Sequence, residues 1–145
     1  MTDRPRPRVV IVADDLIWAT RLQTIARTAG AEATLAGSRD RFASAITEAD
    51  AAVVDLALRT LDPFEAIATA RLARLAIIAV GPHEDVAGRK RALAAGASRV
   101  YAYRKLFEDG PRTIAAWLSL PAPEAGTGPT EPATGRSKPI AAVGR

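Results

Sequence analysis

Five short apolar runs, separated by stretches of helical periodicity, constrain this chain more than any other feature. They are RVVIVA at 8–13, AEATLA at 31–36, AAVVD at 51–55, LAIIAV at 75–80 and RVYAY at 99–103. The first, third and fourth are nearly continuous in apolar residues, the pattern of strands buried on both faces. A helix is expected over 16–29, where Leu22, Ile25, Ala26 and Ala29 share a face and Gly30 supplies a stop. Ser38 or Asp40 can cap a second helix reaching 49, with Phe42, Ala45 and Ile46 inward. Pro63 suits the first turn of a third, over 63–74. A fourth covers 84–95 and ends at Gly96, and Pro111 opens a fifth, to about 120. Apolar strands joined through helices demand a parallel sheet with right-handed crossovers and helices on both faces. The expected fold class is therefore α/β: a doubly wound, flavodoxin-like sheet of five parallel strands in the order 2-1-3-4-5.

The ends of the chain differ from this body. Residues 1–7 alternate Arg with Pro and are expected to form a flexible basic arm. Residues 121–145 are rich in Pro, Gly, Ala and Thr, hold little to bury, and are expected to be a disordered tail. The domain itself spans 8–120. The formal net charge of +4 and a pI of about 10.1 first suggest a nucleic-acid partner. Six of the 20 Lys and Arg residues lie in residues 1–8 and 121–145, however, so the body is close to neutral and nucleic acid is not the expected ligand. Zero Cys excludes a disulfide scaffold, a Cys zinc site and thiol catalysis, and a single His excludes a multi-histidine metal site. No apolar run approaches the roughly 18–20 residues that span a bilayer, and no cleavable leader is evident, so a cytoplasmic location is expected.

In doubly wound sheets the working residues lie beyond the carboxyl ends of the strands. The first strand ends at Asp14 and Asp15 and the third at Asp55. These strands are neighbours in the expected order, so three carboxylates could converge on one corner. Like charges that close raise one another's pKa unless a proton or cation intervenes, and a hard divalent ion such as Mg²⁺ suits oxygen ligands. Asp14 could equally cap the first helix while Asp15 faces solvent.

These residues resemble the receiver domain of two-component response regulators (CheY-like), over about 8–120. The resemblance implies that the acidic pair in IVADD holds Mg²⁺ and that Asp55 in VVDLAL accepts a phosphoryl group. It implies that Asp14, Asp15, Asp55 and the backbone carbonyl of Ala57 would form the metal set. LRTLDPFEA resembles the loop after strand three, with Asp62 at its usual acidic place and Pro63 where Gly is usual. GASRVYAY is similar to the lead-in to strand five, with Tyr101 where a rotating aromatic reports the switch. Two positions depart from the pattern. Gly81 stands where Thr or Ser would bond a phosphoryl oxygen, and Tyr103 stands where Lys is expected, followed by Arg104 in place of Pro. A lysine there supplies a charge-assisted bond worth about 1.5–3 kcal/mol. Lys105 could compensate if the fifth strand continued, since it shares parity with Tyr103.

The expectation is thus a stand-alone receiver-like signalling domain of the pseudo-receiver type. It is not expected to be an enzyme, and it would act through protein–protein contacts. The resemblance places the partner, a histidine kinase or downstream regulator, on the face of helix four, strand five and helix five, with a homodimer as a further use of that face. An ordinary phospho-accepting receiver is the first alternative. A small Mg²⁺-dependent phosphatase or nucleotide-binding enzyme on the same fold is the second, although no phosphate loop or nucleophile elbow is present. His83, in the loop after strand four, reads as a solvated imidazole.

Overall fold

The structure, a computed structural model, describes residues 5–123. Most of the expected tail and the first four residues of the expected arm lie outside those residues. Five strands and five helices alternate: β1 (Arg8–Val12), α1 (Leu16–Thr28), β2 (Glu32–Leu35), α2 (Arg39–Ala45), β3 (Ala51–Asp55), α3 (Pro63–Leu72), β4 (Ala76–Gly81), α4 (Val86–Ala95), β5 (Arg99–Ala102) and α5 (Tyr103–Trp117). The sheet is wholly parallel with the order β2-β1-β3-β4-β5, as expected from the alternation.

Alternation of side chains along each strand divides the core between the two faces of the sheet. Val9, Ile11, Val53, Ile78 and Val80 meet α1 and α5 through Leu22, Ala26, Leu106 and Ile114. Val10, Val12, Val54, Ile77 and Ala79 meet the opposite layer through Phe42, Ile67, Ala70 and Ala92. Alanine supplies much of both layers, so the helices approach closely. At Gly110 of α5 a Cβ would stand 2.7 Å from Ile25 of α1, and only glycine fits that contact.

Short polar side chains start the helices by accepting orphan backbone N–H groups. Asp15 caps α1, Ser38 caps α2, Asp62 caps α3 ahead of Pro63, and Asp85 caps α4. Gly96 ends α4 at φ 133°, a conformation that strains any residue with a Cβ.

The fifth unit corrects the expectation. RVYAY alternates like a strand, yet β5 stops at Ala102 and helical structure begins at Tyr103. That early helix breaks at Asp109 (φ −145°, ψ 30°), next to Pro111, where the last helix was expected to start. Proline lacks an N–H and clashes with the preceding turn, so two helical segments meet there at a kink. Tyr103 and Phe107, four residues apart, consequently lie on one face of the first segment. Trp18 of α1 stacks on both, its ring centroid 4.4 Å from each.

Candidate functional site: the carboxyl edge of β1, β3 and β4

Asp55 ends β3 between two apolar strands and is 2% exposed. Burying a carboxylate in such surroundings is costly unless donors reach it. Two do, and both reach Oδ1. The Tyr103 hydroxyl donates at 2.5 Å and the Ala57 N–H at 3.0 Å. Burial raises the Asp55 pKa above its ordinary 3.8. The two donors pull it back, and the charges of Asp14 and Asp15 push it up further. Burial likewise raises the Tyr103 pKa, and the bond to Asp55 adds to that rise, so the phenol stays protonated and acts as a donor.

Tyr103 is positioned by its stack on Trp18, with an interplanar angle of 25°. Trp18 also stacks on Phe107, whose ring centroid lies 4.2 Å from the Arg21 guanidinium carbon. One continuous contact path therefore runs from the buried carboxylate to a surface where Phe107 is 44% exposed.

The acidic pair does not join Asp55 around one point. Asp14 Oδ2 accepts the backbone N–H groups of Arg59 at 2.6 Å and Thr60 at 2.8 Å. Partial burial works against its ionised form, but these bonds outweigh that, and its pKa falls below 3.8. Asp15 turns to the first turn of α1 and accepts from Ile17 and Trp18. Ala57 engages the site through its N–H, where the expected metal set used its carbonyl. Among the described residues no group of three or more His, Cys, Asp or Glu side chains is placed to hold a metal ion. The expected set of Asp14, Asp15, Asp55 and Ala57 is not assembled for Mg²⁺ as it stands: each carboxylate commits one oxygen to a protein donor of its own, and the three do not gather around one point.

The two departures also take definite form. Gly81 is the last residue of β4 and is buried. A Cβ there would lie 3.1 Å from Leu56 Cδ1, so the Leu56 side chain crowds the space that a threonine or serine needs. Tyr101 pairs in register with Val80 and packs, partly buried, against the α1–α5 layer. Lys105 does not compensate for the missing lysine. It lies on α5, where its ammonium pairs with Asp109 at 3.6 Å. Arg104 pairs with Glu108 at 3.1 Å. The early start of α5 replaced the strand parity on which rescue by Lys105 depended. His83 is exposed in the loop before α4.

Sequence reasoning missed the Tyr103–Asp55 bond and the Trp18 stack. No spacing signalled them, since residues four apart share a face on a strand as well as on a helix.

The sequence matches no protein-family model and no curated protein. Comparison with solved structures is more informative. A response regulator receiver protein from Burkholderia phymatum is 25% identical, with a TM-score of 0.66 over 82% of this chain and 100% of that one. A CheY-like receiver domain protein from Methanospirillum hungatei JF-1 is 20% identical, with a TM-score of 0.63 over 79% and 98%. A response regulator from Burkholderia pseudomallei, solved with a phosphorylated aspartic acid, calcium ion and citrate, is 17% identical, with a TM-score of 0.62 over 78% and 71%. Strand order and helix placement agree with these likenesses: the chain has the receiver fold of the CheY-like two-component response regulators.

Proposed function

We propose that this protein is a signalling domain of the pseudo-receiver type, which works through protein–protein contacts and does not use Asp55 as a phosphorylation switch. The observation that carries this reading is the Tyr103 hydroxyl on Asp55 Oδ1. A tyrosine in this seat donates one neutral hydrogen bond and offers no positive charge. Phosphoryl transfer requires neutralisation of charge spread over the phosphoryl oxygens. With Lys105 held by Asp109 and Arg104 by Glu108, neither neighbouring cation is turned to that task. The Gly81 backbone offers no hydroxyl to draw the following loop inward, and Leu56 stands against it. Output through the face of α4, β5 and α5 is supported by Val86 and Leu93 of α4, 58% and 45% exposed. A protein partner or a second copy could bury these side chains, at about 25 cal/mol per Å² of apolar area. Among the described residues, no helix is long and apolar enough to cross a membrane.

An ordinary phospho-accepting receiver is the second reading, and one observation favours it. Both internal donors sit on Oδ1, and among the described residues no hydrogen bond engages Asp55 Oδ2. Incubation with acetyl phosphate and Mg²⁺, followed by intact mass, separates the two. The pseudo-receiver reading expects an unmodified mass. An adduct that is lost in Asp55→Asn would establish the ordinary receiver.

A further inference from the structure

The structure assigns Asp14 the role of a positioning residue: it clamps the β3–α3 loop, residues 56–62, onto the β1 end and so holds the Ala57 N–H on Asp55 without a divalent cation. The assignment starts from the hydrogen bonds of that loop. Its backbone leaves β3 as a tight turn, with Leu58 N–H donating to the Asp55 carbonyl at 3.0 Å and Leu56 N–H to the Val80 carbonyl at 2.9 Å. The next two N–H groups, of Arg59 and Thr60, have no helix or strand partner to supply. Both point at Asp14 Oδ2, at 2.6 and 2.8 Å. Two N–H groups on one ionised oxygen form charge-assisted bonds, stronger than neutral ones. The Thr60 hydroxyl continues the lacing by donating to the Gly37 carbonyl at 2.7 Å, which ties in the loop before α2. The Asp14 carboxylate thus fastens the β3–α3 loop to the end of β1, and the Thr60 hydroxyl adds the loop before α2, at the edge where Asp55 emerges.

The consequence for Asp55 is direct. Ala57 lies between the turn at Leu58 and the strand end, two residues before the clamped pair, and its N–H is one of the two donors on Asp55 Oδ1. Fixing Arg59 and Thr60 fixes the path of Ala57. Asp14 Oδ2 is already committed to the loop, and Ala57 turns its N–H toward Asp55. Asp14 turns toward the loop because its two donors lie there, while Asp15 turns away because the first turn of α1 offers it two others.

The inference is independent of whether Asp55 can be phosphorylated, since it concerns the metal-free loop alone. Its test therefore uses Mn²⁺ or Mg²⁺ with no phosphodonor. In the full chain, amide spectra are recorded with trace Mn²⁺, and amide exchange is compared among wild type, Asp14→Asn and Asp14→Ala. We expect no selective paramagnetic broadening at Asp14, Asp55 or Ala57. Exchange at Arg59 and Thr60 should accelerate about ten-fold or more in Asp14→Ala, while exchange in the α3 helix is unchanged. Asp14→Asn keeps a side-chain oxygen and should restore much of the protection. The Ala57 amide shift should move with Asp14→Ala, which a merely local loss of stability would not cause. Selective broadening in wild type would overturn the assignment by making Asp14 a metal ligand. Unchanged exchange at Arg59 and Thr60 in Asp14→Ala would overturn it by removing the clamp. Neither result bears on the acetyl phosphate outcome, so the two proposals fail separately.

Discussion

The two halves of the carboxyl edge keep different shares of the resembled pattern. On the β1–β3 side all three aspartates are present, and each is engaged: Asp14 by loop N–H groups, Asp15 by the helix it caps, Asp55 by Tyr103 and Ala57. On the β4–β5 side the polar residues of the resembled pattern are gone. Glycine stands at 81 with Leu56 packed against it, and Tyr103 opens a helix where a strand-end lysine was expected. The contrast teaches that retained residue types do not by themselves retain a chemistry. The acids survive on one side because backbone donors and a neighbouring phenol satisfy them, which is a structural use as well as a chemical one.

Tyr103 joins the two halves, so changes there should have the largest effect. Tyr103→Ala removes both the ring stacked on Trp18 and the donor to a buried carboxylate. It should cost about 3–5 kcal/mol in urea unfolding, the range for a large aromatic truncation. Tyr103→Phe keeps the ring and removes only the hydroxyl, leaving the Ala57 N–H as the one donor on Asp55 Oδ1, and should cost about 1.5–3 kcal/mol, the range for a hydrogen bond to a charged group. If Tyr103→Phe were as stable as wild type, the bond to Asp55 would not be a structural link between the halves.

Asp55→Asn sharpens the comparison through pH. The folded pKa of Asp55 is raised, chiefly by burial, so the native state holds its proton more tightly than the unfolded chain does. The wild type is therefore fully favoured below the unfolded value, about 3.9, and loses stability as pH rises through the folded value. Asparagine keeps an oxygen for Tyr103 and Ala57 and carries no charge. Its stability should match wild type at acid pH and exceed it at neutral pH. Asp14 works in the opposite sense. Its lowered pKa contributes stability that is present above the unfolded value and lost as pH falls through the folded one. A neutral-pH loss in Asp55→Asn would mean that the carboxylate charge is itself stabilising.

The smallest effect is expected at Gly81. Its substitution by Ser places a Cβ 3.1 Å from Leu56 Cδ1, a clash that a flexible leucine end can relieve by a small shift. Thermal unfolding should show a loss of about 1 kcal/mol or less, since the affected side chain can repack. A larger loss would show Leu56 to be rigidly held. A gain would show that the new hydroxyl finds a partner at this edge.

Much of the fold was legible in the residues. Short β-branched runs such as VVIV favour buried strands, and their alternation with five helical stretches then leaves few topologies. Ser38 was legible as the cap of α2, because capping is a local interaction between residues two or three apart, but at α1 the cap is Asp15 where Asp14 was the expected one. The clamp at Asp14 was not legible. Its partners are backbone N–H groups 45 and 46 residues away, and any residue type at those places would serve. The fifth unit misled because RVYAY satisfies strand alternation, while the helix that wins is set by tertiary contact of Tyr103 and Phe107 with Trp18. That contact also decided the site, since a tyrosine on a strand and a tyrosine opening a helix present the hydroxyl differently.

The most direct measurement is a titration of the full chain with beryllofluoride and Mg²⁺, followed through the amide resonances of Ala57, Gly81 and Tyr101. The account predicts spectra unchanged at saturating beryllofluoride, with Tyr103 still on Asp55. Saturable shifts at all three, abolished in Asp55→Asn, would contradict it and show that Asp55 still operates as a phosphoryl switch.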